Sequence, residues 1–188
     1  MTDAAHAAIE NGLASSNPED VYDAIIDIGK QGHRDLVPRV VPYLASTTGF
    51  LREAALRTLV FHLHLSSFKA DAIRALQFDP DEGAREAAAM GLAYFAMSDR
   101  ELLQQLVKVA TNTSEQDIVR AAAFLSALDA AGLQQGEFPK ARALPDFDAR
   151  ADWGLLARVL SRAGHDVPPE VSERAARGRP AGPGSAPG

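Results

Sequence analysis

Cysteine is absent from this chain, which excludes a disulfide framework, a thiolate zinc site and a cysteine nucleophile. Aromatic residues make up only 6% of it, so the core must be built mainly from smaller side chains. β-Branched runs are scarce, which removes the usual signature of strands. No apolar run approaches the roughly 20 residues a helix needs to cross a bilayer. The opening stretch "MTDAAHAAIENGLASS" lacks both a basic segment and a continuous apolar one, so it does not read as a signal peptide and a cytoplasmic location is expected. Excess positive charge is missing too, the net charge being −6.

What remains is alanine and leucine in abundance, a mixture that favours helix on intrinsic propensity. At 188 residues the chain can form one domain with a core, plus extra at the ends. Its charge is uneven. Residues 1–132 carry 11 Lys and Arg against 18 Asp and Glu, while residues 133–188 carry 8 against 7. An acidic body repels phosphate backbones, which argues against nucleic acid as a partner. A basic surface on another protein is the natural match, although solubility alone explains the acidity equally well.

The main part of the sequence repeats. "LREAALRTL" (Leu51 to Leu59) returns as "AREAAAMGL" (Ala84 to Leu92), 33 residues later, and more loosely as "VRAAAFLSAL" (Val119 to Leu128). "VYDAIIDIG" (Val21 to Gly29) fits as a degenerate first copy. Acidic, amide or hydroxyl residues precede each copy: Asn17-Pro18-Glu19-Asp20, Thr47-Thr48, Asp79-Pro80-Asp81-Glu82 and Ser114-Glu115. They suit the free N–H groups and the positive end of a helix. Second helical segments are expected at Asp35 to Leu44, Ser67 to Phe78 and Asp99 to Ala110, with Asp35, Ser66 and Asp99 as their N-caps. Within the first of these, Pro38 falls in the opening turn, whereas Pro42 lies deeper and is expected to kink the helix.

A unit of 31 to 35 residues made of two helices describes an α-solenoid repeat. Small residues such as Ala54, Ala55, Ala87, Ala88, Ala121 and Ala122 allow neighbouring first helices to approach closely. On "DPDEGAREAAAMGL", "TTGFLREAALRTL" and "SEQDIVRAAAFLSAL", the sequence resembles the HEAT-repeat family, in its short bacterial form. Arg52, Arg85 and Arg120 match that family's arginine near the start of the first helix, while the first copy has Val21 there. The resemblance covers about residues 18–132 and implies an all-α, right-handed solenoid of about four HEAT-like repeats with an extra helix at each end. The expected repeats are 18–45, 48–78, 80–111 and 114–132, within one domain of residues 1–165.

The ends differ from the middle. Asp3 to Leu13 reads as a short helix. A loop after Gly132 carries Phe138, Leu144 and Phe147 as anchors, and a helix at about 150–164 presents Trp153, Leu156, Val159 and Leu160 at helical spacing. That helix is expected to cap the open end of the repeats, though a role in self-association stays open, and a monomer is favoured. Residues 166–188, rich in Pro, Gly and Ala, are expected to form a disordered tail.

Chemistry-bearing motifs are few. "VFHLHLSSF" (Val60 to Phe68) would place His62 and His64 on one face if it were a strand. In a helix, residues two apart point about 200° apart and cannot share an ion. The repeat alignment sets "FHLH" against "YFAM" (Tyr94 to Met97), the closing turn of a first helix, so no metal site and no cofactor is expected. Asp146 and Asp148 in "DFD" have no phosphate-binding loop near them, and no GxSxG, GxGxxG, Walker or HExxH motif occurs.

The expected function is therefore a non-catalytic protein-binding module: an adaptor, a scaffold, or a stoichiometric inhibitor of the immunity type. If second helices line the binding face, the contact candidates are Arg39, Tyr43, Arg74, Gln77, Gln104, Gln105 and Lys108. Another protein is the expected partner, rather than nucleic acid or membrane. The alternative is a HEAT-like accessory protein or enzyme, lyase-like or metal-dependent, acting on a small ligand or a cofactor-bearing protein.

Overall fold

The computed structural model describes residues 3–133 and 147–177. Among the described residues the architecture is all-helical, with no strand. Helix α1 spans Asp3–Leu13 and α2 spans Pro18–Gln31. The start of α2 follows its sequence: Asn17 accepts the Glu19 N–H at 3.2 Å, Pro18 opens the first turn, and Glu19 and Asp20 face the positive helix end.

The next segment is more broken than the expected kinked helix. A 3₁₀ turn at Arg34–Leu36 leads into α3, Val37–Val40, and a second 3₁₀ stretch covers Val41–Ala45. Pro38 is accommodated in the first turn of α3. Pro42 has no N–H to continue the helical ladder, and the chain tightens into 3₁₀ geometry around it.

Helix α4, Gly49–Leu56, runs directly into a π-helical turn at Arg57–His62. There the Leu63 N–H reaches back five residues to the Thr58 carbonyl, at 3.0 Å. This wider turn lies against α2 at a tight crossing. Thr58, fully buried, donates its hydroxyl to the Ile25 carbonyl at 2.6 Å. A Cβ on Gly29 would come within 2.9 Å of the His62 ring and 3.0 Å of the Thr58 hydroxyl, so only glycine fits the contact without displacement. A 3₁₀ turn at Ser66–Phe68 then opens α5, Lys69–Phe78.

Helices α6, Glu82–Ala96, and α7, Arg100–Thr111, form the most regular pair. Asp81 accepts the Ala84 N–H at 2.9 Å, and Asp99 accepts that of Leu102 at 3.0 Å. Of the three N-caps expected for second helices, Asp99 alone caps. Asp35 and Ser66 fall inside 3₁₀ turns, because both segments start one tight turn before their α-helix. Helix α8, Asp117–Ala130, follows, then α9, Phe147–Arg150, α10, Trp153–Arg162, and α11, Pro169–Arg177.

First helices pack in sequence order: α2 on α4 and its π turn, α4 on α6, and α6 on α8. Helix α5 packs against α6, and α7 packs against α6 and α8. The alanines of the repeated motif make the close approach possible, since Ala54, Ala55, Ala87, Ala88 and Ala123 are wholly inaccessible. Leu56, Leu59, Leu92, Leu106 and Leu128 fill the space between, each burial contributing about 1.5–3 kcal/mol.

At the C-terminal end, Trp153, Leu156, Val159 and Leu160 of α10 are all buried, as their spacing predicts. Phe124, Phe147 and Trp153 meet edge to face, with centroids 5.2 to 5.7 Å apart. Phe147 thus serves as the anchor expected of it, while Phe138 and Leu144 lie outside the described residues. The disordered tail assigned to 166–188 is corrected for its first half. Pro169–Arg177 is helical and packs on α10, with Val171 fully buried. Composition hid it because one apolar anchor and one arginine do the holding. Residues 178–188 lie outside the described residues.

Candidate functional site

The three arginines of the repeated motif perform one task in three places. Arg52 donates through Nε and Nη2 to both oxygens of Asp79, at 2.8 and 2.6 Å, and through Nη1 to the Ser46 carbonyl at 2.8 Å. Arg85 donates to the Asp79 carbonyl at 2.7 Å and to Glu115 at 2.9 Å. Arg120 donates to the Ala110 carbonyl at 3.3 Å, to Asp117 at 3.0 Å and to Asp148 at 2.7 Å. Arg52 and Arg85 therefore join the turn before their own helix, and Arg120 the last turn of α7, to an acid 27 to 30 residues further on. The bonds are charge-assisted, and the Arg52–Asp79 pair is forked, which fixes orientation as well as energy. Asp148 of the "DFD" stretch is held in this way, with Arg174 as a second partner at 3.3 Å. It is a structural acceptor, and Asp146 is outside the described residues.

These arrangements move the acids' pKa values. Burial pushes Asp79 upward, but the bonds from Arg52 and the Asp81 N–H, with the charges of Arg52 and Arg85, more than reverse it and hold the carboxyl below its ordinary range. Asp148 is lowered by the same balance, burial being outweighed by Arg120 and Arg174. Lys69 donates to Asp99 at 2.6 Å and lowers it as well, with help from the Leu102 N–H.

His62 ends the π turn, His64 lies two residues beyond it, and the two face different surroundings. His62 is half-buried against α2, and burial, then Lys30, Arg57 and His64, depress its pKa below the ordinary value. His64 is exposed, has a φ of 50°, and stacks on Tyr94 with centroids 4.3 Å apart. Among the described residues no three metal-ligating side chains come together.

The contact candidates on second helices are dispersed. Arg39 is exposed and pairs with Glu10 of α1 at 3.6 Å, and Tyr43 is half-buried against the core. Arg74, exposed, pairs with Asp71 within α5, and Gln77 is exposed beside it. Gln104 and Lys108 are exposed on α7, with Gln105 half-buried. A shallow cleft of about 240 Å³ brings Arg74 beside Leu44 and Phe78. A larger one, about 1060 Å³, opens between α9, α10 and α11, lined by Asp148, Trp153, Arg158, Arg174 and Arg177. The Trp153 indole N–H is buried there without an acceptor among the described residues, and Arg174 lies over its ring at 5.0 Å.

The surface of the first helices was missing from the sequence-based site. Glu53 and Glu86 both bond to Arg57, at 2.7 and 2.9 Å, and the Tyr22 hydroxyl lies 3.3 Å from Glu53. Tyr94 stands exposed on the same helix as Glu86, and Met97, its C-cap, is exposed as well. The repeat alignment carried the signal, because Glu53 and Glu86 occupy equivalent places 33 residues apart, as do Arg57 and Met90. Among the described residues these features define an all-helical protein whose helices α2, α4, α6 and α8 pack in sequence order. No protein-family model, curated protein or solved structure matches the chain.

Proposed function

We propose that this chain is a non-catalytic protein-binding module, with its hairpins arranged as a HEAT-like α-solenoid, acting as an adaptor or a stoichiometric inhibitor. The observation that carries the reading is the recurrent arginine bridge. Arg52, Arg85 and Arg120 each tie the segment before their own helix to an acid 27 to 30 residues further on, a recurrence that supports reading the helices as a serial array. Such arrays offer long surfaces on which a partner makes many modest contacts. Arg39, Tyr43, Arg74, Gln77, Gln104, Gln105 and Lys108 supply one candidate face along the second helices.

Affinity capture from the native cell, followed by reconstitution with the purified captured protein, tests the reading. A stoichiometric complex that forms without added metal supports it. Stoichiometric zinc or iron in the purified chain, lost on His62→Ala, would overturn it. The ligand-dependent alternative draws on the cleft beside Trp153, where a buried N–H donor and three arginines meet. A ligand that quenches Trp153 fluorescence on binding would favour that alternative.

A further inference from the structure

The exposed apolar side chains are not spread evenly over the molecule. Among the described residues the large ones are Val41, Phe50, Phe78, Tyr94, Met97 and Ile118; three of these six stand on first helices α4, α6 and α8, and Met97 is the C-cap of α6. Tyr94 is 52% exposed and Met97 62% exposed, side by side at the end of α6, while Phe78, at 75%, stands apart at the end of α5. Tyr94 continues a stripe on α6 that begins with Glu86 and Met90, bordered by Glu53 of α4 and by Arg57 at the start of the π turn.

The charge of this surface is unbalanced. Glu53 and Glu86 share one guanidinium, that of Arg57, which leaves a negative charge over in a half-buried setting. Burial raises the pKa of Glu86, and Glu53 adds to the rise against Arg57. On the neighbouring α2, Glu19, Asp23 and Asp27 are exposed one turn apart, with Lys30 the cation among them. Glycine at position 83 helps to keep Glu53 where it is, since a Cβ there would come within 2.6 Å of its carboxylate. The backbone at His64 is held at positive φ, beside Tyr94, in a region where non-glycine residues are strained.

We propose that the surface shared by α4 and α6, flanked by the acidic row of α2, docks a cationic segment of a partner protein. That segment presents Lys or Arg among aliphatic or aromatic side chains. The inference rests on the protein-binding reading and names the surface and partner chemistry for it. A partner cation at Glu53 and Glu86 would complete the pairing that Arg57 alone leaves short. Tyr94, Met90 and Met97 supply adaptable apolar contact beside it, tyrosine with a polar tip and methionine with a flexible, polarisable one. The same negative field repels nucleic acid and anionic lipid. Coulomb attraction also separates this surface from the second helices, whose exposed candidates Arg39, Arg74 and Lys108 are cationic.

The test is selection of random peptides displayed on phage against the immobilised full chain. Bound peptides are then synthesised and titrated by fluorescence anisotropy. Peptides enriched in Lys or Arg with Leu, Ile or Phe are expected. Their affinity should fall at least about tenfold for the Tyr94→Ser, Met97→Ser double variant and decline with added salt. The Arg39→Glu, Arg74→Glu variant should bind them unchanged. Both variants alter exposed positions, and circular dichroism with thermal melting verifies that each keeps its fold. Peptides that depend on Arg39 and Arg74 instead would overturn this surface while leaving the protein-binding reading in place. Acidic peptides, or no enrichment at all, would also overturn it.

Discussion

Arg52 and Asp79 face each other in a fork, with both carboxylate oxygens bonded by one guanidinium across 27 residues of chain. The side chains are only 14% and 10% exposed. Water therefore cannot replace the bonds cheaply once one partner is removed. Arg52→Ala is expected to destabilise the chain by about 2–3 kcal/mol, between the values for exposed and fully buried pairs. Arg52→Lys should recover only part of this, because an ammonium cannot make the fork or reach the Ser46 carbonyl as well. Arg85→Ala should cost less, since the Arg85 Nε is already buried without an acceptor among the described residues. Urea unfolding of the three variants gives the comparison.

The same pair predicts a pH dependence. Asp79 has a folded-state pKa below that of the unfolded chain, which lies near about 3.9. As pH falls, the unfolded state takes up this proton first, so stability is full above about pH 4 and is lost progressively below it. Asp79→Asn should be less stable than the parent at neutral pH. The difference should shrink towards zero on acidification through that range. Denaturation midpoints measured from pH 7 down to the acid limit of folding would show the convergence, and a constant difference would contradict it.

His62 predicts a second and milder effect at higher pH. Its folded-state pKa lies below the ordinary histidine value of about 6.5, because the ring is half-buried and near Lys30, Arg57 and His64. Protonation is thus easier in the unfolded chain, and stability is expected to fall as pH drops below about 6.5. His62→Gln, which has no charge to gain, should lose this component while keeping the acid-range loss due to Asp79. The histidine C–H signals in a proton NMR titration report the His62 pKa directly, and a value above that of a free histidine would refute the prediction.

Much of the helical layout was legible in the sequence, and the parts that were not have local causes. The alanine-rich motif and its recurrence located α4, α6 and α8, since close packing between first helices demands small residues at repeated positions. Arg52, Arg85 and Arg120 were recognised by position, but their acids Asp79, Glu115 and Asp148 were not, because the pairs span 27 to 30 residues. The broken helix around Pro42 and the π turn at Arg57–His62 depend on tertiary fit, against α2 in the second case. Binding candidates were placed on second helices from periodicity alone. The exposed Tyr94 sits on α6, with exposed Met97 at its C-cap, and the buried alanines of that helix carry the stronger sequence pattern on its other side.

Helix α11 gives the last prediction, because composition and structure disagree about it most. Val171 is fully buried, and Arg174 donates to the Thr111 carbonyl at 2.8 Å while also pairing with Asp148. It covers Trp153 as well, at 5.0 Å from the ring centroid. Val171→Ala should therefore destabilise the chain by about 1–2.5 kcal/mol, from two lost methyl groups and the space they leave. Arg174→Ala should add a comparable loss and raise the solvent exposure of Trp153, seen as a red shift of its fluorescence. Deleting the residues after Gly178 should leave the melting temperature unchanged, whereas ending the chain at Pro168 should lower it by several degrees. Equal melting for both truncations would show that α11 contributes nothing to the fold. Lowered melting in the shorter one alone would place the end of the folded unit between Pro169 and Gly178, beyond the 165 that composition indicates.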